Sequence, residues 1–133
     1  MNTIKVLIAE DTPDILELLA DKVTFEGFTV IKAIDGEEAW RKIQEEDPDV
    51  ILLDLMMPKM DGLTVLKHLR EHPPTKKWQP VIIVSALSDL QHMRNCFDLE
   101  AEHYIIKPFQ PDDIIKGIRR MLKLIPHRKD GVA

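Results

Sequence analysis

Val50-Ile51-Leu52-Leu53-Asp54-Leu55-Met56-Met57-Pro58-Lys59-Met60-Asp61-Gly62 is the stretch on which the fold turns. Its first four residues are apolar without alternation, as a strand must be when helices cover both faces of its sheet. The run stops at an acid and gives way to a segment that Pro58 and Gly62 mark as a loop. Val6-Leu7-Ile8 and Val81-Ile82-Ile83-Val84 repeat the pattern. Three central strands are therefore expected.

Two further runs have less to bury: Phe28-Thr29-Val30-Ile31-Lys32-Ala33 is mixed and Tyr104-Ile105-Ile106 is brief, so both belong at sheet edges. Helical periodicity fills the intervals. Thr12 before Pro13 marks a start, Ile15, Leu18, Leu19 and Val23 form an apolar stripe, and Gly27 supplies the stop. Asp35 with Glu38, and Ser88 with Gln91, have capping-box spacing. Pro111 opens a last helix carrying Ile114, Ile115, Ile118, Met121, Leu122 and Ile125 before Pro126 ends it. Residues 72–80, rich in proline and lysine, read as a surface loop. Five strand–helix repeats imply a parallel sheet built from right-handed βαβ units. The expected architecture is an α/β, flavodoxin-like (βα)5 three-layer sandwich whose parallel five-stranded sheet has the order 2-1-3-4-5.

A chain of 133 residues, 44% apolar and 31% charged, fits one soluble domain. Residues 1–126 read as that domain and residues 127–133 as a flexible C-terminal tail. A net charge of −5 disfavours direct nucleic-acid binding and adhesion to an anionic membrane, both of which need concentrated positive charge. Cys96 has no second cysteine to pair with, and reads as a buried structural thiol in a reducing compartment. With neither an export signal nor an apolar run of about 20 residues, a cytoplasmic location without a membrane span is expected.

The chemistry gathers at one sheet edge. Glu10-Asp11 follow the first strand, Asp54 ends the third, Ser85 ends the fourth and Lys107 ends the fifth. Open parallel sheets bind ligands outside the carboxyl ends of their strands, at the point where strand order reverses. Three carboxylates meeting there would repel one another unless a cation sits among them. Oxygen donors without histidine or cysteine suit Mg²⁺. An aspartate can also act as a nucleophile toward a phosphoryl group while a metal and a lysine balance the charge. Asp54 is best placed for this, with Asp11 holding the metal, Glu10 acting mainly through water, Lys107 pairing with phosphoryl oxygens and Ser85 donating a hydrogen bond.

Together, Glu10-Asp11, the Asp54-to-Gly62 stretch, Ser85-Ala86 and Tyr104-Ile105-Ile106-Lys107-Pro108-Phe109 closely resemble the receiver domains of two-component response regulators, over residues 4 to about 125. The resemblance implies a phosphorylation-dependent switch that takes its phosphoryl group from a sensor histidine kinase or a histidine phosphotransfer protein. It implies an acceptor at Asp54, Mg²⁺ held by Glu10, Asp11, Asp54 and the Met56 backbone carbonyl, and phosphoryl contacts from Ser85 and Lys107. It also implies a cis peptide before Pro108. Ser85 and Tyr104 would form the switch, altering the face of the fourth helix, fifth strand and fifth helix that meets an output partner or a second copy in a phosphorylation-dependent homodimer. Such a chain is not an enzyme beyond its own phosphoryl transfer and autodephosphorylation.

Two departures stand out. Leu99-Glu100-Ala101-Glu102-His103 replaces the Gly-Ala turn frequent in receivers, and Met56 and Leu87 place apolar bulk two residues past the acceptor and Ser85. Three other functions compete. An aspartyl-phosphate phosphatase wants an aspartate where Met56 stands, and a binding module without phosphorylation would have no need of every acidic and basic group. A flavodoxin-like cofactor binder would need a phosphate loop where Glu10-Asp11 lie.

Overall fold

The computed structural model describes residues 3–124. Five strands, β1 (Lys5–Ala9), β2 (Thr29–Ala33), β3 (Val50–Leu53), β4 (Val81–Ser85) and β5 (His103–Ile106), alternate with five helices. These are α1 (Pro13–Phe25), α2 (Gly36–Glu46), α3 (Gly62–Glu71), α4 (Leu90–Asp98) and α5 (Pro111–Leu124). All pairings are parallel, in the order β2-β1-β3-β4-β5. The expected flavodoxin-like sandwich is therefore the observed one, with β2 and β5 at its edges.

Because strand side chains alternate between faces, the unbroken apolar runs supply two cores. Leu7, Ala9, Ile51, Leu53, Val81 and Ile83 pack with residues of α2, α3 and α4. Val6, Ile8, Val50, Leu52, Ile82 and Val84 pack on α1 and α5. Cys96 is buried in the first core, and burial pushes its thiol up to about 11. No described helix is long and apolar enough to cross a membrane.

Local readings need three corrections. On α1 the buried positions are Leu16, Leu19, Ala20 and Val23, whereas Leu18 is 50% exposed, so the stripe is rotated from the one assigned by spacing. The cap of α4 is Asp89, whose carboxylate accepts from His92 N, not Ser88 with Gln91. At α2 the Asp35 carboxylate does accept from Glu38 N, but the Glu38 carboxylate accepts from Ile34 N rather than from Asp35 N. Gly27 has φ +99°, the left-handed value that ends α1 and turns the chain into β2.

Residues 72–80 are less of a free surface loop than their composition suggests. The Arg70 guanidinium lies 3.9 Å from the Trp78 ring centroid and donates to the carbonyls of Leu99, Gln79 and Glu100. Trp78 Nε1 donates to Glu102, whose other oxygen accepts from Val81 N. Gln79 is buried, and Lys77 bridges Asp47 and Asp49. This end of the sheet lies opposite the acidic cluster. Glu100, where a Gly-Ala turn is frequent in receivers, has φ 63° and holds the left-handed conformation without a glycine. Ile125, Pro126 and the tail at 127–133 lie outside the described residues.

Candidate functional site

Each site residue sits where a strand ends. The β1 and β3 ladders run one residue past their strands, with Glu10 N donating to Ala33 O and Asp54 N to Ala9 O. That fixes two carboxylates on adjacent chain ends. Glu10, Asp11 and Asp54 each offer an oxygen within 4.8 Å of the others, and among the described residues they form the only such acidic or metal-ligating trio. Glu10 and Asp54 are buried while Asp11 faces solvent.

Lys107 completes the cluster. Its Nζ lies 2.8 Å from Asp54 Oδ2 and 2.7 Å from Glu10 Oε1. The peptide between Lys107 and Pro108 is cis, as the resemblance implied. Lys107 N donates to Ser85 O, so β4 and β5 deliver their chemistry to the same rim. Burial raises the Glu10 carboxyl above its ordinary range, and the nearby Asp54 charge adds to this; hydrogen bonds from Lys107 and Thr12 N oppose it without cancelling it. For Lys107, burial works against the ammonium, but the bonds to Asp54 and Glu10 outweigh it and leave the group above its usual value.

One ammonium cannot balance three carboxylates in a part-buried site, and the remaining donors are all oxygens. That donor set fits a hard divalent cation, with Glu10, Asp11 and Asp54 as side-chain ligands. Met56 N donates to Asp54 Oδ1, which folds the loop back over the acceptor, while Met56 itself is 59% exposed. Met56 and Leu87 line a cleft of about 680 Å³ that also contains Asp11, His92 and Asn95.

Ser85 is fully buried at the end of β4, its Oγ accepting from Leu87 N. Tyr104 is also buried, packs on Phe97 with ring centroids 6.5 Å apart, and donates its hydroxyl to Leu87 O. The Leu87 backbone is thus held at its N–H by Ser85 and at its carbonyl by Tyr104.

Sequence reasoning found the Asp35 cap but overlooked the Asp61 cap and the contact of Asp35 with Lys59. Asp61 caps α3 by accepting from Thr64 N, and Asp35 lies within 3.6 Å of Lys59 Nζ. The Asp–Gly pair at 61–62, like the one at 35–36, stands at a helix start and is the local signal that could have found the Asp61 cap.

A family model described as the response regulator receiver domain matches residues 6–119. The probable transcriptional regulator ycf27 of Porphyridium aerugineum is 37% identical over 91% of this chain and 49% of its own length. The chain spans about half the length of the curated relatives it matches. Among solved structures, a CheY-like receiver domain protein from Methanospirillum hungatei is similar with a TM-score of 0.88 at 27% identity, over 98% of this chain and all of that one. The CheX-CheY-BeF3-Mg²⁺ complex from Borrelia burgdorferi gives a TM-score of 0.81 at 33% identity, covering 90% of this chain and 89% of that one. The 2-1-3-4-5 parallel sheet agrees with these matches, and the chain belongs to the response regulator receiver domain family.

Proposed function

We propose that Asp54 accepts a phosphoryl group from a phosphohistidine on a sensor histidine kinase or a histidine phosphotransfer protein, making the chain a phosphorylation-dependent signalling switch. The supporting observation is Lys107 Nζ lying between the Asp54 and Glu10 carboxylates at 2.8 and 2.7 Å. In the transfer, an Asp54 carboxylate oxygen forms the new P–O bond as the P–N bond breaks, and the imidazole leaves after taking up a proton. Lys107 exchanges its carboxylate contacts for a phosphoryl oxygen, and Ser85 donates its hydroxyl to another. Glu10, Asp11, Asp54 and the Met56 carbonyl hold Mg²⁺, which when bound supplies charge neutralisation around the phosphoryl oxygens.

The same hydroxyl gives the site its output. Once Ser85 turns to the phosphoryl group, Leu87 N loses its acceptor, and the segment entering α4 is left tied through Tyr104. The face of α4, β5 and α5, where Leu90, Phe97 and Ile106 are exposed, then meets an output protein or domain, or a second copy. A net charge of −5 favours protein partners over nucleic acid for this domain, and a cytoplasmic setting suits them. The domain catalyses its own phosphorylation and autodephosphorylation and no other turnover.

Incubation with a small phosphodonor and Mg²⁺, read by intact mass, tests the reading. Wild type gains one phosphoryl group; Asp54→Ala does not, and labelling of both or neither would reject it. Met56 and Leu87 wall the cleft beside Asp11 and hinder in-line attack by water, so the phosphorylated state is long-lived. A radiolabel lost within seconds would refute that role.

A further inference from the structure

The acceptor loop, residues 54–61, is closed on itself. Met56 N donates to Asp54 Oδ1 and Gly62 N donates to Leu55 O at 2.9 Å. Gly62 lies so close to Asp54 that an added methyl group would overlap the acceptor's own carbonyl oxygen. Both ends of the loop are therefore fixed against β3.

Its tip is fixed by a different element. Gly36 N donates to Pro58 O at 3.3 Å, and Lys59, held at φ 71°, places its ammonium 3.6 Å from the buried Asp35 carboxylate. Met60 N turns back onto Pro58 O at 2.8 Å. The Met60 carbonyl occupies the place where a side chain on Gly36 would begin, and a methyl group there would collide with its oxygen and carbon. The start of α2 is thus the seat on which the loop tip rests, and only a residue without a side chain leaves room for it.

We infer that Gly36 is a positioning residue for the metal site: by seating the Met60 carbonyl against α2, it sets where the Met56 carbonyl stands. This rests on the proposed role of that carbonyl as a ligand. Met56 N is tied to Asp54 while the tip is seated on α2, so displacing the tip turns the Met56 carbonyl that lies between them, whereas Glu10 and Asp11 follow β1 and stay in place. Mg²⁺ demands near-octahedral ligands at about 2.0–2.1 Å, while Ca²⁺ accepts longer and less regular ones. A misplaced carbonyl therefore weakens the two ions unequally.

Calorimetric titration of wild type and Gly36→Ala with MgCl₂ and with CaCl₂, alongside denaturant unfolding in chelator, tests the assignment. The Mg²⁺ dissociation constant should rise about ten-fold and that of Ca²⁺ by less than about three-fold, since only the former needs rigid geometry. Unchanged Mg²⁺ affinity, or a loss shared equally by both ions, would overturn the inference. Should wild type itself bind no Mg²⁺, the metal reading fails instead. If Gly36→Ala does not fold, Asp35→Asn decides, because it keeps an acceptor for Glu38 N and loosens the hold on Lys59. A Mg²⁺ affinity lowered about two-fold or more with Ca²⁺ unchanged supports the seat; an unchanged Mg²⁺ affinity overturns it.

Discussion

Glu10 carries the clearest consequence at the scale of single residues, because burial sets its carboxyl above the ordinary range despite the bonds from Lys107 and Thr12 N. A carboxyl with a folded value above its unfolded one stabilises the fold while protonated, and that contribution is lost as pH rises through the folded value. Mg²⁺ needs the ionised form. Its affinity should therefore keep climbing above the pH at which an ordinary glutamate has finished titrating, and Glu10→Gln should flatten that part of a calorimetric pH series. A wild-type profile already level by that pH would contradict this. The chemistry-bearing residues were legible in the sequence because each ends an apolar run, which places it at one rim. The supports were not, since Asp35 meets Lys59 only after β2 and β3 have been brought to either side of β1.

Among the elements, α4 is the least embedded: of its nine residues only Cys96 is buried, whereas α5 buries Ile114, Ile115, Gly117, Ile118 and Met121. What α4 lacks in packing, its C-terminal end receives from Arg70, which reaches Leu99 O, Glu100 O and the Glu102 carboxylate. Arg70→Met should lower the unfolding free energy by about 2–4 kcal/mol in urea titrations, because the Leu99, Gln79 and Glu100 carbonyls lose a charged donor and the Glu102 carboxylate keeps only Trp78 and Val81 N. Arg70→Lys should recover less than half of this, as an ammonium cannot reproduce the planar fork. Equal stability of all three proteins would show the bonds to be dispensable. Lys77, Trp78 and Gln79 find partners 24 to 32 residues away in sequence, in Asp47, Pro48, Asp49 and Glu102, and these left no local pattern to read, which is why residues 72–80 read only as a surface loop. The rotated stripe on α1 has a simpler origin: Leu16, Leu18 and Leu19 are equally apolar, and periodicity alone cannot choose between adjacent registers.

For the molecule as a whole, topology was the most legible feature. Unbroken apolar strands require cover on both faces, and the two edge strands betray themselves by mixed composition or brevity. A cation bound by the folded chain and not by the unfolded one stabilises it by mass action, about 2.7 kcal/mol at one hundred times the dissociation constant. Saturating Mg²⁺ should accordingly raise the thermal midpoint of wild type by several degrees and leave Asp11→Asn nearly unmoved, as followed by circular dichroism. A wild-type midpoint indifferent to Mg²⁺ would argue against the metal site.

The clamp that Arg70 places on Leu99 and Glu100 gives α4 the mechanics of a cantilever. A rod fixed at one end deflects most at the other, and here the free end is the one that Leu87 joins to Ser85 and Tyr104. On the proposed switch, a rearrangement at the acidic rim would therefore displace the chain most around Leu90, while the far end of the lever stays anchored to the base of the sheet.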